Sequence, residues 1–148
     1  MDQLRIVRPV GDEMLDHWRH VHNTIIPTHL LSLADVRERA GRHHLDVAYL
    51  GDVPVGNTTV RPPDENPDAA VVIARVLPEH RGHGHGRTLY EHALTTARAM
   101  GVTQVETVVL ETNASGLAFA LARGFEEFDR YVLDGDELAY VELRRSLP

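Results

Sequence analysis

The sequence predicts an α/β protein, and three observations carry that prediction. Strand-length apolar runs alternate with helical periodicities in the order β-α-α-β-β-β-α-β-α-β-β. Glycine, proline and aspartate punctuate the joins between them. A glycine-rich stretch in mid-chain links an apolar run directly to a helical pattern.

The elements follow in order. Leu4 to Pro9 reads as a first strand. Asp12 is expected to cap a helix in which Met14, Leu15, Trp18, Val21, His22 and Ile25 share one stripe, and Pro27 ends it. Ser32 to Arg42 has helical composition and is expected to stop near Gly41. Leu45 to Leu50 and Val53 to Val60 read as a hairpin across Gly51-Asp52. Arg61 to Asp68 contains three prolines and is expected to be a loop, because proline suits neither a helix interior nor a central strand. Ala69 to Val76 is an apolar run of strand length, and the stretch from Pro78 to Gly86 is too rich in glycine for regular structure. From Arg87 the pattern turns helical: Leu89, Ala93, Ala97 and Met100 share a face and Gly101 is the stop. Gln104 to Leu110 is a β-branched strand. Asn113 suits the cap of a short helix with Ala114, Leu117, Ala118 and Leu121 on one side, and Gly124 suits its end. Phe125 to Leu133 and Leu138 to Arg145 are closing strands around Asp134-Gly135.

Composition narrows the function. A chain of 148 residues fits a single domain over residues 1–148. It has no cysteine, which excludes disulfides, a thiolate nucleophile and thiolate metal sites. All of its basic residues are arginine, which excludes a Schiff base and the lysine of a P-loop. The net charge of −7 argues against nucleic acid, whose partners carry a basic face. It also favours a cationic small-molecule partner. No apolar run approaches the ~20 residues of a membrane span, and the N-terminus lacks the order of a signal peptide, so a cytoplasmic location is expected.

The stretch from Val76 to Gly86 is the most informative. It follows a strand and opens a helix, where free N–H groups and a positive dipole end accumulate. Glycines at 82, 84 and 86 let those groups converge on an anion, and a phosphate is the natural guest. Arg81 and Arg87 bracket the loop, and Thr88 adds a hydroxyl. The alternative is a plain glycine-rich turn. A dinucleotide fingerprint does not fit, because the third glycine comes one place early. His80, His83 and His85 have the spacing H-x-x-H-x-H, and His43 and His44 are adjacent, but a glycine-rich loop does not hold ligands in fixed geometry, so no metal is expected.

Arg81-Gly82-His83-Gly84-His85-Gly86 resembles the acyl-CoA loop of the GCN5-related N-acetyltransferases, Q/R-x-x-G-x-G/A. The lead-in Val76-Leu77-Pro78-Glu79-His80 is similar to that family's V-x-P-x-x. Asn113 to Phe125 resembles its second hallmark, N-x(5)-F-Y-x-x-x-G-F. The resemblance covers about Ala69 to Phe128, and the order of elements agrees with it.

This resemblance implies a mixed, twisted β-sheet flanked by helices, with a splayed pair of strands at Ala69–Val76 and Gln104–Leu110 that admits acetyl-CoA or another short acyl-CoA. The backbone of Arg75 and Val76 would pair with the pantetheine arm. The N–H groups of Arg81, Gly82, His83, Gly84, His85 and Gly86, with Arg87 and Thr88, would hold the pyrophosphate, and Asn113 would touch the pantetheine. The implied reaction is direct acetyl transfer to a primary amine of a small molecule or peptide, without a covalent acyl-enzyme. The family's region around Trp18, His22, Asn23, Thr28 and His29 lines the acceptor pocket, although Trp18 at a core position suits packing, and homodimers are common. One departure stands out: the family's tyrosine, which protonates the leaving thiolate, is Ala120 here. Tyr131, Ser115 or Tyr140 could replace it, the thiolate could leave unaided, or the protein could bind acyl-CoA with little transfer. For the base, Asp68 and Glu111 are the carboxylate candidates.

Overall fold

A computed structural model describes residues 3–148. The elements are β1 (Leu4–Val7), α1 (Gly11–Ile25), α2 (Leu33–Arg42), β2 (His44–Leu50), β3 (Val53–Arg61) and β4 (Ala69–Val76). A 3-10 turn at Pro78–His80 follows, then α3 (His85–Ala99), β5 (Gln104–Leu110), α4 (Ala114–Ala122), β6 (Glu126–Tyr131) and β7 (Tyr140–Ser146). The expected order is therefore present. The strands form one mixed sheet in the order β1-β2-β3-β4-β5-β7-β6, in which β4 and β5 run parallel and the other pairs antiparallel.

Strand alternation assigns the two faces. Leu45, Val47 and Tyr49 pack with Trp18 of α1 and Val36 of α2. Val60, Ala70, Val72, Val105 and Val141 pack on the other face with Tyr90, Ala93, Leu94 and Ala97 of α3 and Ala120 of α4. Burying a Leu- or Val-sized side chain is worth ~1.5–3 kcal/mol, so these two layers hold the sheet between its helices. Trp18 is fully buried, and its indole N–H donates to the Thr58 carbonyl at 3.2 Å, so it serves packing. Gly56 lets β3 approach β4 and α3: a Cβ there would lie 2.5 Å from the Arg75 carbonyl and 2.8 Å from a Leu89 methyl.

Several local expectations shift. Asp12 does not cap α1. The helix starts at Gly11, and the Asp12 carboxylate accepts from Arg37 of α2, at 3.1 Å from Nε and 2.6 Å from Nη2. An ion pair across the helices outcompetes the cap. Helix α2, by contrast, ends at Arg42, one residue past Gly41, as its composition predicts. The stretch after β4 is not wholly irregular, since Pro78 opens a 3-10 turn. Arg61 belongs to β3, not to the proline loop, because it registers with Val71 of β4.

Candidate functional site

The sheet opens where β4 and β5 part. They pair only over Ala69–Gln104, Ala70–Val105 and Val71–Glu106. Beyond Val71 the strands diverge, and a cleft of about 340 Å³ occupies the gap. Val72 to Val76 form one wall and Thr107 to Leu110 the other, with α3 and α4 below and the end of α1 above.

The backbone of β4 decides which groups face the gap. The Leu77 N–H donates to the Val55 carbonyl at 2.8 Å, in the same register as the β3–β4 ladder. Alternation then turns the polar groups of Arg75 and Ile73 toward β3, and those of Val76, Ala74 and Val72 toward the gap. The Val76 carbonyl indeed accepts from Arg81 Nε at 3.0 Å. Val76 thus offers its backbone to the cleft as the sequence suggested. The backbone polar groups of Arg75 are taken up by β3, and those of Ala74 face the cleft.

The glycine loop meets the cleft at the start of α3. Gly82 and Gly84 hold φ of +85° and +82°, a region that disfavours any side chain. Among the described residues the amides from Gly82 to Arg87 have no backbone partner, whereas Arg81 donates to Pro78 and Thr88 to Gly84. No side chain caps this helix, and no acidic residue stands in its first turn. The Thr88 hydroxyl also donates to the Gly84 carbonyl, at 3.2 Å. Arg81, Gly82, Gly84, His85, Gly86 and Arg87 line the cleft; His83 and Thr88 do not. At the opposite wall Asn113 both lines the cleft and caps α4, its Oδ1 accepting from Gly116 N at 3.0 Å and from the Ser115 hydroxyl at 3.1 Å.

The three candidate catalytic residues are not brought together. Asp68 precedes β4 at its paired end, eight residues or ~26 Å of strand from Val76. Its carbonyl accepts from Thr103 and Gln104. Glu111 follows β5 and lies 3.9 Å from Arg130. Tyr131 stacks on Tyr140 with ring centres 5.5 Å apart, and burial raises its phenol above the ordinary value. None of the three lines the cleft, although Ser115 does.

Two groups that the sequence did not single out bear on the cleft, one in its wall and one a strand away. Tyr90 lines the cleft beside Ala120, and burial raises its phenol above the ordinary value against the opposing pull of Arg145. Glu142 sits opposite Val108, a cleft residue, in the β5–β7 register. Burial, then Asp129 and Glu106, raise its carboxyl above the ordinary value. Tyr90 falls on the predicted helical face and could have been found as the one tyrosine on the helix after the loop. Glu142 carries no such signal. On the α1 side His22 is buried against Trp18, and its pKa falls to about 4 because burial and then Arg75 oppose the proton. Asn23 is engaged with Leu31 through both of its amide atoms, so its part is to hold the chain after α1. Among the described residues no group of three or more histidines and carboxylates gathers as metal ligands.

A family profile decides what this cleft belongs to: that of the acetyltransferase (GNAT) family matches residues 10–125. The chain belongs to the GNAT acetyltransferase family. Solved structures agree on the GNAT fold. The ribosomal-protein-S18-alanine N-acetyltransferase from Escherichia coli superposes with a TM-score of 0.77 at 17% identity, over 98% of this chain and 94% of that one. An acetyltransferase from Thermus thermophilus gives 0.72 at 25% identity, over 99% and 100%. A provisionally named acetyltransferase, yncA of Salmonella typhimurium, solved with its cofactor acetyl-CoA, gives 0.75 at 16% identity, over 99% and 95%. No curated protein sequence matches the chain. The mixed sheet with its parted central strands is thus the GNAT sheet, and β6 and β7 beyond residue 125 complete it.

Proposed function

We propose that the protein is an acyl-CoA-dependent N-acetyltransferase that moves an acetyl group directly to a primary amine. One observation carries the reading: the gap beyond Val71 opens beside six successive unpaired amides at the start of α3. The whole chain then acts as one GNAT domain. Acetyl-CoA is the co-substrate supported by the family and by the neighbour solved with it.

In this reading the amides from Gly82 to Arg87 hold the pyrophosphate, with the α3 dipole behind them. The pantetheine arm lies along β4 as an added strand, bonding to Ala74 and Val76. Arg81 then exchanges its bond to the Val76 carbonyl for contact with phosphate. The amine enters from the side of α1 and β7 and loses a proton to Glu142, whose carboxyl burial holds above the ordinary value. Its nitrogen attacks the thioester carbonyl, polarised by a β4 N–H. A C–N bond forms, the C–S bond breaks, and the thiolate leaves. Tyr90 gives the thiolate a proton, in place of the tyrosine that Ala120 replaces, and the second proton shed by the nitrogen as the amide forms restores the Tyr90 hydroxyl.

The test is thiol release from acetyl-CoA against a panel of polyamines, amino acids, aminoglycosides, arylamines and peptide N-termini. Release that depends on one amine class supports transfer. A second reading, an acyl-CoA-binding module with little transfer, is favoured by Ala120 in the cleft wall. CoA binding without release from any amine would select it. No thermal shift with CoA would defeat both, since a ligand at a hundredfold over its Kd stabilises by ~2.7 kcal/mol.

A further inference from the structure

Three arginines gather on the face of the sheet covered by α1 and α2. Arg61 registers with Val71 and Arg75 with Asn57, so in the β3–β4 ladder both side chains stand on the face covered by α1 and α2. Arg75 also lines the cleft. Arg39, half-buried one helical turn after the core residue Val36 of α2, stands near enough to repel both. Among the described residues no carboxylate forms a salt bridge with any of the three, whereas Arg19, Arg37, Arg42, Arg130 and Arg144 each have one. The Nε of Arg61 is buried and has no hydrogen-bond partner. The nearby carboxylates are engaged elsewhere or stand off: Glu106 is held by Arg144 at 2.6 Å, Asp35 accepts from the Ser32 N–H, Glu38 is held by Arg42, and Glu142 on β7 acts on Arg61 only through space. Burial lowers the pKa of all three guanidiniums. Repulsion from Arg39 adds to this at Arg61, and repulsion from Arg61 and Arg39 adds at Arg75, which falls to about 10.

Three cations gathered with no carboxylate at salt-bridge distance raise the energy of the site, and the charges of Glu142 at Arg61 and of Asp35 and Glu38 at Arg39 offset this only through space. A buried charge left unpaired is costly, and a bidentate oxyanion is the partner that a guanidinium fork matches best. The protein's net charge of −7 conceals this local excess. Resting on the acetyltransferase reading, we propose that Arg39, Arg61 and Arg75 bind an oxyanion on the acceptor, so that the substrate is an amine whose own molecule carries a carboxylate or phosphonate. Glu142 across the gap then faces the ammonium end of the same zwitterion. This overrides the cationic acceptor that bulk charge favoured.

The experiment compares α-amino acids, aminoalkylphosphonates and the neutral amides of the same amino acids. Each is titrated calorimetrically into protein saturated with CoA, and each is assayed for thiol release from acetyl-CoA. The acids should bind and react at least ~10-fold better than the amides, the scale of one charge-assisted bidentate pair. Carboxylate and phosphonate arms show which oxyanion fits. Arg61→Gln should abolish the preference for acid over amide, and Arg61→Lys should restore part of it, because charge returns without the planar fork. Arg39→Gln, on the helix, repeats the test if Arg61→Gln does not fold. Amides that equal acids, no acid bound, or a preference that survives Arg61→Gln and Arg39→Gln would overturn the proposal. So would a parallel loss of CoA affinity in these variants, which would assign the arginines to the cofactor side. If CoA fails to bind the wild type, the acyl-CoA reading falls. The acid and amide titrations on the free protein then still decide the arginine site.

Discussion

Helices α2 and α3 begin in opposite ways. At α2 the Ser32 hydroxyl accepts from the Asp35 N–H at 3.1 Å, and the Asp35 carboxylate accepts from the Ser32 N–H at 2.9 Å. The first turn is satisfied from within, and the acid complements the dipole. At α3 the cap position is Gly84, which has no side chain, and the first turn holds histidine and arginine. Its amides stay open and its charge has the sign that repels a cap. One helix end is finished by the fold; the other stays open. Helix α1 also lacks a side-chain cap, but it carries Asp12 and Glu13 in its first turn, whereas α3 has no acid there, as the proposed pyrophosphate site requires.

The strongest way to break the comparison is to close the open end. A Cβ at Gly84 meets no atom within 4 Å, so the space it would fill belongs to solvent or ligand. Gly84→Val should lower CoA affinity at least ~100-fold by calorimetry, and φ of +82° adds a folding cost of ~1–2 kcal/mol for a β-branched residue. Gly84→Ala, which strains the backbone less, should still weaken binding. Retained affinity in a folded variant would mean that the anion sits elsewhere.

The next effect lies on the α1–α2 face, where cations crowd instead of waiting for a ligand at a helix end. His22 has its pKa depressed from 6.5 to about 4. Between those values the unfolded chain binds a proton that the folded chain refuses, so stability falls as pH drops from 6.5 toward 4. One such group contributes a slope of up to ~1.4 kcal/mol per pH unit. His43 acts in the same direction. Urea unfolding at pH 7.5, 5.5 and 4.5 should show the decline, and His22→Gln should flatten it. An unchanged slope would assign the decline to other groups.

The two regions also differed in how far the sequence revealed them. The α3 end is local: eleven consecutive residues, from Val76 to Gly86, carry both the glycines and the lead-in to them, and the Asn113–Phe125 segment confirms their register. The arginine site is not local. Its members come from α2, the end of β3 and the end of β4, and they meet only once register and helix placement are fixed. Arg61 even read as the start of a proline loop, because a cation at a strand end breaks the apolar run that marks a strand. Glu142 was hidden for the same reason. The period-2 pattern of β7 shows which residues share a face, but not that Glu142 comes to lie beside Val108, in the wall of the gap between β4 and β5. Asp68 and Glu111 were chosen by closeness in sequence to the parted strands. The strand rise puts Asp68 at the wrong end, and Glu111 turns to Arg130.

The smallest effects sharpen the comparison by separating stability from binding. Arg87→Glu places an acid in the first turn of α3, as Asp35 stands in α2. It should leave folding unchanged or improve it by ~0.3–1 kcal/mol, because the dipole favours the new charge. It should also weaken CoA binding ~10-fold, because that charge repels the pyrophosphate. Ser32→Ala should do the reverse. Removing the α2 cap costs ~1 kcal/mol of folding stability in urea titrations, while CoA affinity holds, since the α2 amides serve no ligand. Opposite signs at the two ends would show that an uncapped helix here is the cost of a binding site. Equal signs would reduce the α3 end to an ordinary frayed terminus and leave the cleft to bind its ligand through β4 alone.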